Sequence, residues 1–215
     1  MRLRPGWMMA LAGLWLVAGL SAADSSGTAG ERSNYKVIFA EDFASAADPA
    51  WHLNHGTWKL VGGGWQGTEL PKNHHAAAAR YLIDFTDAVI EFDFRFDGAK
   101  MVSVTINDAL EHVCRVQILP ANMRVVKDDH DRGAGPDKAV VLASKKLDLQ
   151  PDQWYHAVLE MSGSELTATV TGADMEPASA GGKDDLVATA KASFALVVTG
   201  QSATFRDLKV LAPAK

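Results

Sequence analysis

The chain has 215 residues, of which 47% are hydrophobic, and its formal net charge at pH 7 is −5. An acidic protein without a basic stripe repels polyanions, so the composition excludes nucleic acid as a partner. The only cysteine, Cys114, allows no intramolecular disulfide, so stability must come from a hydrophobic core, in which we expect Cys114 to be buried.

The N-terminal region has the pattern of a secretory signal peptide. A basic start precedes an apolar run from Trp7 to Leu20, and the small residues Ser21–Ala23 follow. The apolar run has about 14 residues, whereas a membrane-spanning helix needs roughly 20. We therefore predict a signal peptide at residues 1–23, a flexible leader at residues 24–34, and an exported periplasmic or extracellular protein without a transmembrane segment in its mature form.

Residues 35–213 are predicted to form one all-β domain. Short alternating or apolar runs recur at intervals of about ten residues, which is typical of a sandwich or barrel. The clearest run is 88–97, where Phe92 and Phe94 share an apolar face and charged residues share the other. Since successive side chains of a strand point to opposite sides, a second sheet must cover the apolar face.

Glycine-rich and polar segments separate these runs. The pair Asp97–Gly98 is predicted to be a turn between one strand at 88–97 and another at 101–107. Residues 128–138 and 172–185 are rich in Gly, Pro, Asp and Ser, and both are predicted to be loops.

A strand, a glycine turn and a second strand are predicted near the C-terminal third of the chain. Residues 153–161 begin with Gln153 and Trp154, and Gly163 separates them from the alternating run 165–170. This pattern resembles a hairpin of concanavalin A-like lectin and glucanase sandwiches, in which we expect Trp154 to pack in the core. Further segments resemble that superfamily and, more narrowly, the bacterial 3-keto-disaccharide hydrolase domain family: 39–43, 56–59, 64–65 and 203–210.

The resemblance spans Tyr35 to Pro213. It implies a concanavalin A-like jelly roll made of two antiparallel sheets, with glycan chemistry on the concave face or at its rim.

The charged face of the 88–97 run contains part of a glucanase motif. Family-sixteen glycoside hydrolases of this superfamily carry Glu-x-Asp-x-(x)-Glu on one strand. Glu91 and Asp93 begin that pattern, but Arg95 and Phe96 stand where the second Glu is needed. Neither can protonate a glycosidic oxygen, so a retaining glucanase mechanism is disfavoured.

The same charged face is a candidate sugar-binding surface, because carboxylates and guanidinium groups accept and donate hydrogen bonds in pairs to sugar diols. If neighbouring strands keep register, residues of the 112–119 run extend it. We predict that Asp93, Arg95, His112 and Arg115 bind substrate together. The alternative is an ordinary solvated face of a half-buried strand.

The loop from Glu69 to His75 is the candidate catalytic segment. His74 could act as a general acid or base near neutral pH, with Glu69 aligning its ring. The alternative is a solvated polar loop.

No cofactor and no catalytic metal are predicted. Asp128, Asp129 and Asp131 could supply oxygen ligands to a structural calcium ion, but the spacing of an EF-hand is missing. The sequence thus favours an exported carbohydrate-active protein that hydrolyses 3-keto-glycosides or disaccharides. A non-catalytic lectin-like module and a structural domain of the cell envelope remain alternatives, and the sequence does not indicate the oligomeric state.

Overall fold

The computed structural model describes residues 34–214, which are organised as thirteen antiparallel β-strands and two short 3-10 helices. The strands are β1 (Tyr35–Glu41), β2 (His52–His55), β3 (Thr57–Val61), β4 (Gly64–Thr68), β5 (Ala77–Phe85), β6 (Ala88–Asn107), β7 (His112–Leu119), β8 (Asn122–Lys127), β9 (Val140–Lys146), β10 (Trp154–Ser162), β11 (Glu165–Gly172), β12 (Met175–Lys183) and β13 (Lys191–Pro213). The 3-10 helices are Pro71–Asn73 and Asp185–Ala188. The predicted all-β fold is confirmed. The predicted signal peptide lies outside the described residues, and no helix within them is long and apolar enough to cross a membrane.

Two long strands, β6 and β13, organise the sandwich because each belongs to both of its sheets. Residues 88–95 of β6 pair with β10, and residues 203–211 of β13 lie on their other side. Residues 102–107 of β6 instead pair with β7 and with the first half of β13. Sheet I therefore runs from β12 through β11, β10 and β6 to β13, whose other edge pairs with β1 and with β4, and β3 pairs with β4. Sheet II runs from β2 through β5, β13, β6, β7 and β8 to β9.

Glycines mark the points where the long strands pass from one sheet to the other. Gly98 has φ +89° and Gly200 has φ +102°, and the register between β6 and β13 shifts at both. L-residues with a side chain rarely adopt such angles, so glycine permits a bend without ending the ladder. Asp97–Gly98 is consequently a bend within one strand, which corrects the predicted turn between two.

Other segments follow the prediction in part. Residues 128–138 form a loop between β8 and β9, as predicted, and a tight turn at Gly163 joins β10 to β11. Residues 175–183, predicted to lie in a loop, instead form β12 on the edge of sheet I. Ala178 and Ala180 point into the core there, so small residues that look loop-like in sequence pack against the neighbouring layer.

The core lies between the sheets. Phe92 and Phe94 of sheet I belong to one buried cluster with Ile106 and Val116 of sheet II. Burying one such large side chain contributes about 1.5–3 kcal/mol, so this cluster dominates the stability of the sandwich. Cys114 is fully buried, as predicted, and burial raises the pKa of its thiol to about 12.

Candidate functional site

A polar network on the outer face of sheet I forms the first candidate site. We call it the Trp154 surface; its members are Asp93, Arg95, Asp97, Trp154, His156 and Arg206. The strand register explains how they meet: His156 lies opposite Asp93, which lies opposite Arg206, and Trp154 lies opposite Arg95 in the next row. Each has at least one buried neighbour along its strand (Phe92, Phe94, Phe96, Tyr155 or Phe205), so these side chains must point outward.

Asp93 is the centre of this network. Its carboxylate accepts a hydrogen bond from Nδ1 of His156 at 2.8 Å and another from Nε of Arg206 at 3.1 Å. Desolvation alone would raise the pKa of Asp93, but the two donors outweigh it and hold the pKa below its usual value. The ionised carboxylate therefore fixes the His156 ring with Nδ1 as donor, and Nε2 has no partner within residues 34–214.

Two arginines lie against the Trp154 ring. The guanidinium carbon of Arg206 lies 4.0 Å from the ring centroid, and that of Arg95 lies 5.0 Å from it. Both arginines are anchored by carboxylates, since Nε of Arg95 donates to Asp97 at 2.7 Å while Arg206 is held by Asp93. The cation–π contacts and ion pairs together fix the orientation of the indole.

A depression of about 440 Å³ opens beside Trp154, His156 and Asp93. Its lining continues onto the neighbouring strands β11 and β12 and includes Thr169, Thr171 and Met175. The volume falls in the range of about 300–1,000 Å³ typical of small-molecule sites. An aromatic ring, hydroxyls, a carboxylate and an imidazole thus line a space of ligand size.

A second depression, of about 400 Å³, lies on the outer face of sheet II. We call it the Arg80 depression; it is lined by Asn54, His55, His75, Ala76, Ala78, Arg80, Met101, Thr105, His112, Arg115, Ala195, Val197 and Thr199. Arg115 is held by both oxygens of Asp128, whose side chain is only 2% exposed. Burial lowers the pKa of His112, and its Nδ1 contacts the amide oxygen of Asn107.

The structure separates the four predicted substrate-binding residues into two pairs. Asp93 and Arg95 belong to the Trp154 surface, whereas His112 and Arg115 line the Arg80 depression. The physical reason is the bend at Gly98, which carries the second half of β6 into the other sheet. The side chains face outward on both halves, as predicted, but they do so on opposite layers.

Glu69 and His74 are not joined by a hydrogen bond in the described part of the chain. The Glu69 carboxylate accepts from the backbone N–H of Gly200, and the Glu69 N–H donates to the carbonyl of Gln201 at 3.0 Å. His74 is exposed at the end of the short helix Pro71–Asn73, with φ +49°. Glu69 therefore anchors the bend of β13, and the catalytic assignment of this pair stays a prediction.

The acidic loop after β8 is tied by its own hydrogen bonds. Nε2 of His130 lies 2.8 Å from Asp108, and Asp137 contacts Lys127 and the backbone N–H of His130. Within residues 34–214 no group of three or more His, Cys, Asp or Glu side chains is arranged to hold a metal ion.

Sequence reasoning missed Trp154, His156 and Arg206 as members of a site, and it placed Trp154 in the core. For the two β10 residues the signal was present, because Trp154 and His156 alternate with the buried residues Tyr155, Ala157, Leu159 and Met161. Period two therefore sends Trp154 and His156 to the outer face. The general tendency of tryptophan to be buried misled the assignment.

Comparison with known proteins supports the fold. No protein-family model and no curated protein sequence matches the chain. Among solved structures, the carbohydrate-binding module CBM66 from Bacillus subtilis is 18% identical, with 75% of this chain and 94% of that chain covered and a TM-score of 0.57. The non-specific endo-β-1,3(4)-glucanase SCLam of family GH16 is 10% identical, with 84% and 92% covered and a TM-score of 0.61.

Peanut lectin is 13% identical, with 80% of this chain and 96% of that chain covered and a TM-score of 0.52. These likenesses show that the chain has the two-sheet jelly-roll fold of concanavalin A-like sandwiches. At such low identities they concern the fold alone.

Proposed function

We propose that the protein binds glycans at the Trp154 surface. The observation that carries this proposal is the position of Trp154, whose ring is fixed by two arginines at the edge of a depression that also contains Asp93 and His156. Sugars present apolar C–H faces together with hydroxyl pairs, so they need an aromatic surface next to planar donors and acceptors.

The network supplies these groups in a rigid arrangement. Asp93 and Asp97 orient the two arginines before any ligand arrives, so little side-chain freedom is lost on binding. Thr169 and Thr171 of the neighbouring strand β11 add hydroxyls to the lining. The names of CBM66, SCLam and peanut lectin connect proteins of this fold with carbohydrate, which supports the same ligand class.

Thermal unfolding with and without glycans tests the proposal. A ligand that binds only the native state raises the melting temperature, by an amount that grows with ligand concentration. Trp154→Ala should abolish this rise, while the matched control Leu82→Ala, at a residue 59% exposed on sheet II, should retain it. Treatment with EDTA should leave binding unchanged, because the proposal needs no metal. A glycan response that survives in Trp154→Ala would refute the assignment.

A second candidate function is hydrolysis of 3-keto-glycosides, which the Asp93–His156 pair favours. Nε2 of His156 would take the proton from C2, next to the ketone at C3, while Asp93 stabilises the imidazolium. The electron pair of the C2–H bond forms an enolate, and its collapse breaks the C1–O bond and releases the aglycone, which takes the proton held by the His156 imidazolium. Water then adds across C1 and C2, its hydroxyl going to C1 and its proton, by way of His156, to C2, which completes the hydrolysis. Arg206 would offset charge on the enolate oxygen.

Release of the aglycone from 3-keto-glucosides measures this activity. His156→Gln should abolish turnover with an unchanged melting temperature, whereas the exposed control His74→Gln should keep it. The opposite result would move the chemistry to the Glu69–His75 loop. Absence of turnover in the unmodified protein, together with a glycan-dependent melting shift, would leave binding alone.

We also propose that the protein acts outside the cytoplasm after removal of residues 1–23. Mass spectrometry of the protein purified from culture fractions would test this, and recovery of an unprocessed chain from the cytoplasm alone would contradict it.

A further inference from the structure

The lining of the Arg80 depression is basic, although the chain as a whole is acidic. The described residues of this lining include two arginines and three histidines and no carboxylate, in a chain with a net charge of −5. Arg115 is already neutralised by Asp128 behind it. Arg80 is the other fixed charge of the lining, and no ion pair among the described residues compensates it.

Arg80 has an unmet hydrogen-bonding need. Its Nε is buried and has no hydrogen-bond partner, and no ion pair involves Arg80 within residues 34–214. Buried donors without a partner are rare, and a charged one is especially unfavourable. Arg80 also lines the depression, where an acceptor from a ligand would compensate its charge. The planar guanidinium presents neighbouring N–H groups that match the two oxygens of a carboxylate.

The floor between the two arginines is small and partly apolar. The strand register places Arg80, Ala195, Thr105 and Arg115 in one row across four strands. At about 4.8 Å between strands, the two arginine backbones are roughly 14 Å apart. Ala78 and Val197 form the next row, so a ring can lie flat on methyl groups between the cations while the Thr105 hydroxyl remains available.

We propose that this depression binds an acidic saccharide, with a hexuronate carboxylate paired to Arg80 and the sugar ring lying over Ala78, Ala195 and Val197. The site is distinct from the Trp154 surface and does not depend on the function proposed there. Recognition requires both parts of the ligand, the carboxylate and the ring.

Isothermal titration calorimetry on the purified full-length protein tests this proposal. The two ligands are digalacturonate and the neutral disaccharide of galactose that has the same linkage. Digalacturonate should bind, and the neutral disaccharide should bind at least tenfold more weakly. Arg80→Gln should lower digalacturonate affinity about tenfold to a hundredfold, because a charge-assisted hydrogen-bonded pair is lost. Arg124→Gln removes the same charge from an exposed position on the same face of sheet II and should leave affinity within twofold.

Arg80→Lys is a second variant, which keeps the positive charge but loses the paired N–H donors of the guanidinium. It should bind digalacturonate with intermediate affinity and have an unchanged melting temperature. Equal binding of acidic and neutral disaccharides would overturn the proposal, as would equal losses in Arg80→Gln and Arg124→Gln. Displacement of digalacturonate by equimolar inorganic phosphate would show that the ring is not recognised and would also overturn it. Unchanged digalacturonate binding in Trp154→Ala would confirm that the two surfaces are separate.

Discussion

The bend of β13 at Gly200 offers the sharpest test of how the two sheets are connected. Replacement by alanine would place a Cβ 2.7 Å from the backbone nitrogen of Lys100, in a conformation with φ +102°. Such a backbone angle costs an L-residue about 1–3 kcal/mol. The contact adds to this cost, because backbone in a continuous ladder cannot move aside. We expect Gly200→Ala to lower the free energy of unfolding by about 3 kcal/mol.

Gly62→Ala is the matched control. Gly62 also has a positive φ, +54°, but nothing lies within 4 Å of its Cβ position. Left-handed strain of about 1–2 kcal/mol is partly offset there by the lower entropy of the unfolded chain, so a loss of about 1 kcal/mol is expected. Urea denaturation measures the loss of unfolding free energy in both variants, provided that their m-values equal that of the unmodified protein. Equal losses at the two positions would refute the view that Gly200 carries a conformational requirement of the fold.

Three further predictions concern the core and the site. Phe92→Ala should cost about 3–5 kcal/mol in urea unfolding, whereas Glu91→Ala, at an exposed ion pair, should cost less than about 1 kcal/mol; similar values would contradict the two-layer core. Cys114 should resist thiol reagents at pH 8 until the protein unfolds, since burial raises its pKa to about 12, and rapid labelling of native protein would disprove its burial. The pKa values of Asp93 and Asp97 are lowered in the folded state, so their stabilisation is complete above the unfolded carboxyl pKa of about 3.9 and is lost as the pH falls through the lower folded values. Asp93→Asn should therefore flatten the dependence of unfolding free energy on pH between about 5 and 2, and an unchanged slope would contradict it.

The strand at 88–97 could be predicted because its alternation depends only on local sequence. Its continuation to Asn107 could not, because Asp97–Gly98 has the same composition whether the chain turns back or bends within a ladder. The partner decides between them: β13 runs alongside β6 through the bend and has its own glycine, Gly200, at the matching place. That pairing joins residues about one hundred positions apart, and no local pattern contains it.

The candidate site shows the same limit. The alternation of apolar and charged residues predicted that Asp93 and Arg95 face outward. The same alternation places Trp154 and His156 on the outer face, but the sequence prediction gave more weight to the tendency of tryptophan to be buried. Which outward residues share a surface depends on the order of strands in each sheet. Prediction of one common patch assumed that neighbours in sequence were neighbours in one sheet, and the bend at Gly98 breaks that assumption.

Charge pairing, rather than residue type, distinguishes the two surfaces. On sheet I each arginine near Trp154 has its own carboxylate, Asp93 or Asp97, so the surface offers oriented hydrogen bonds with little net charge and suits a neutral ligand. On sheet II, Arg115 is paired with Asp128, but no carboxylate of the described residues is paired with Arg80, which leaves a positive charge facing a partly apolar floor. Since each surface is built on a different sheet and the core separates them, the two proposals predict that neutral and acidic saccharides bind without competing with each other.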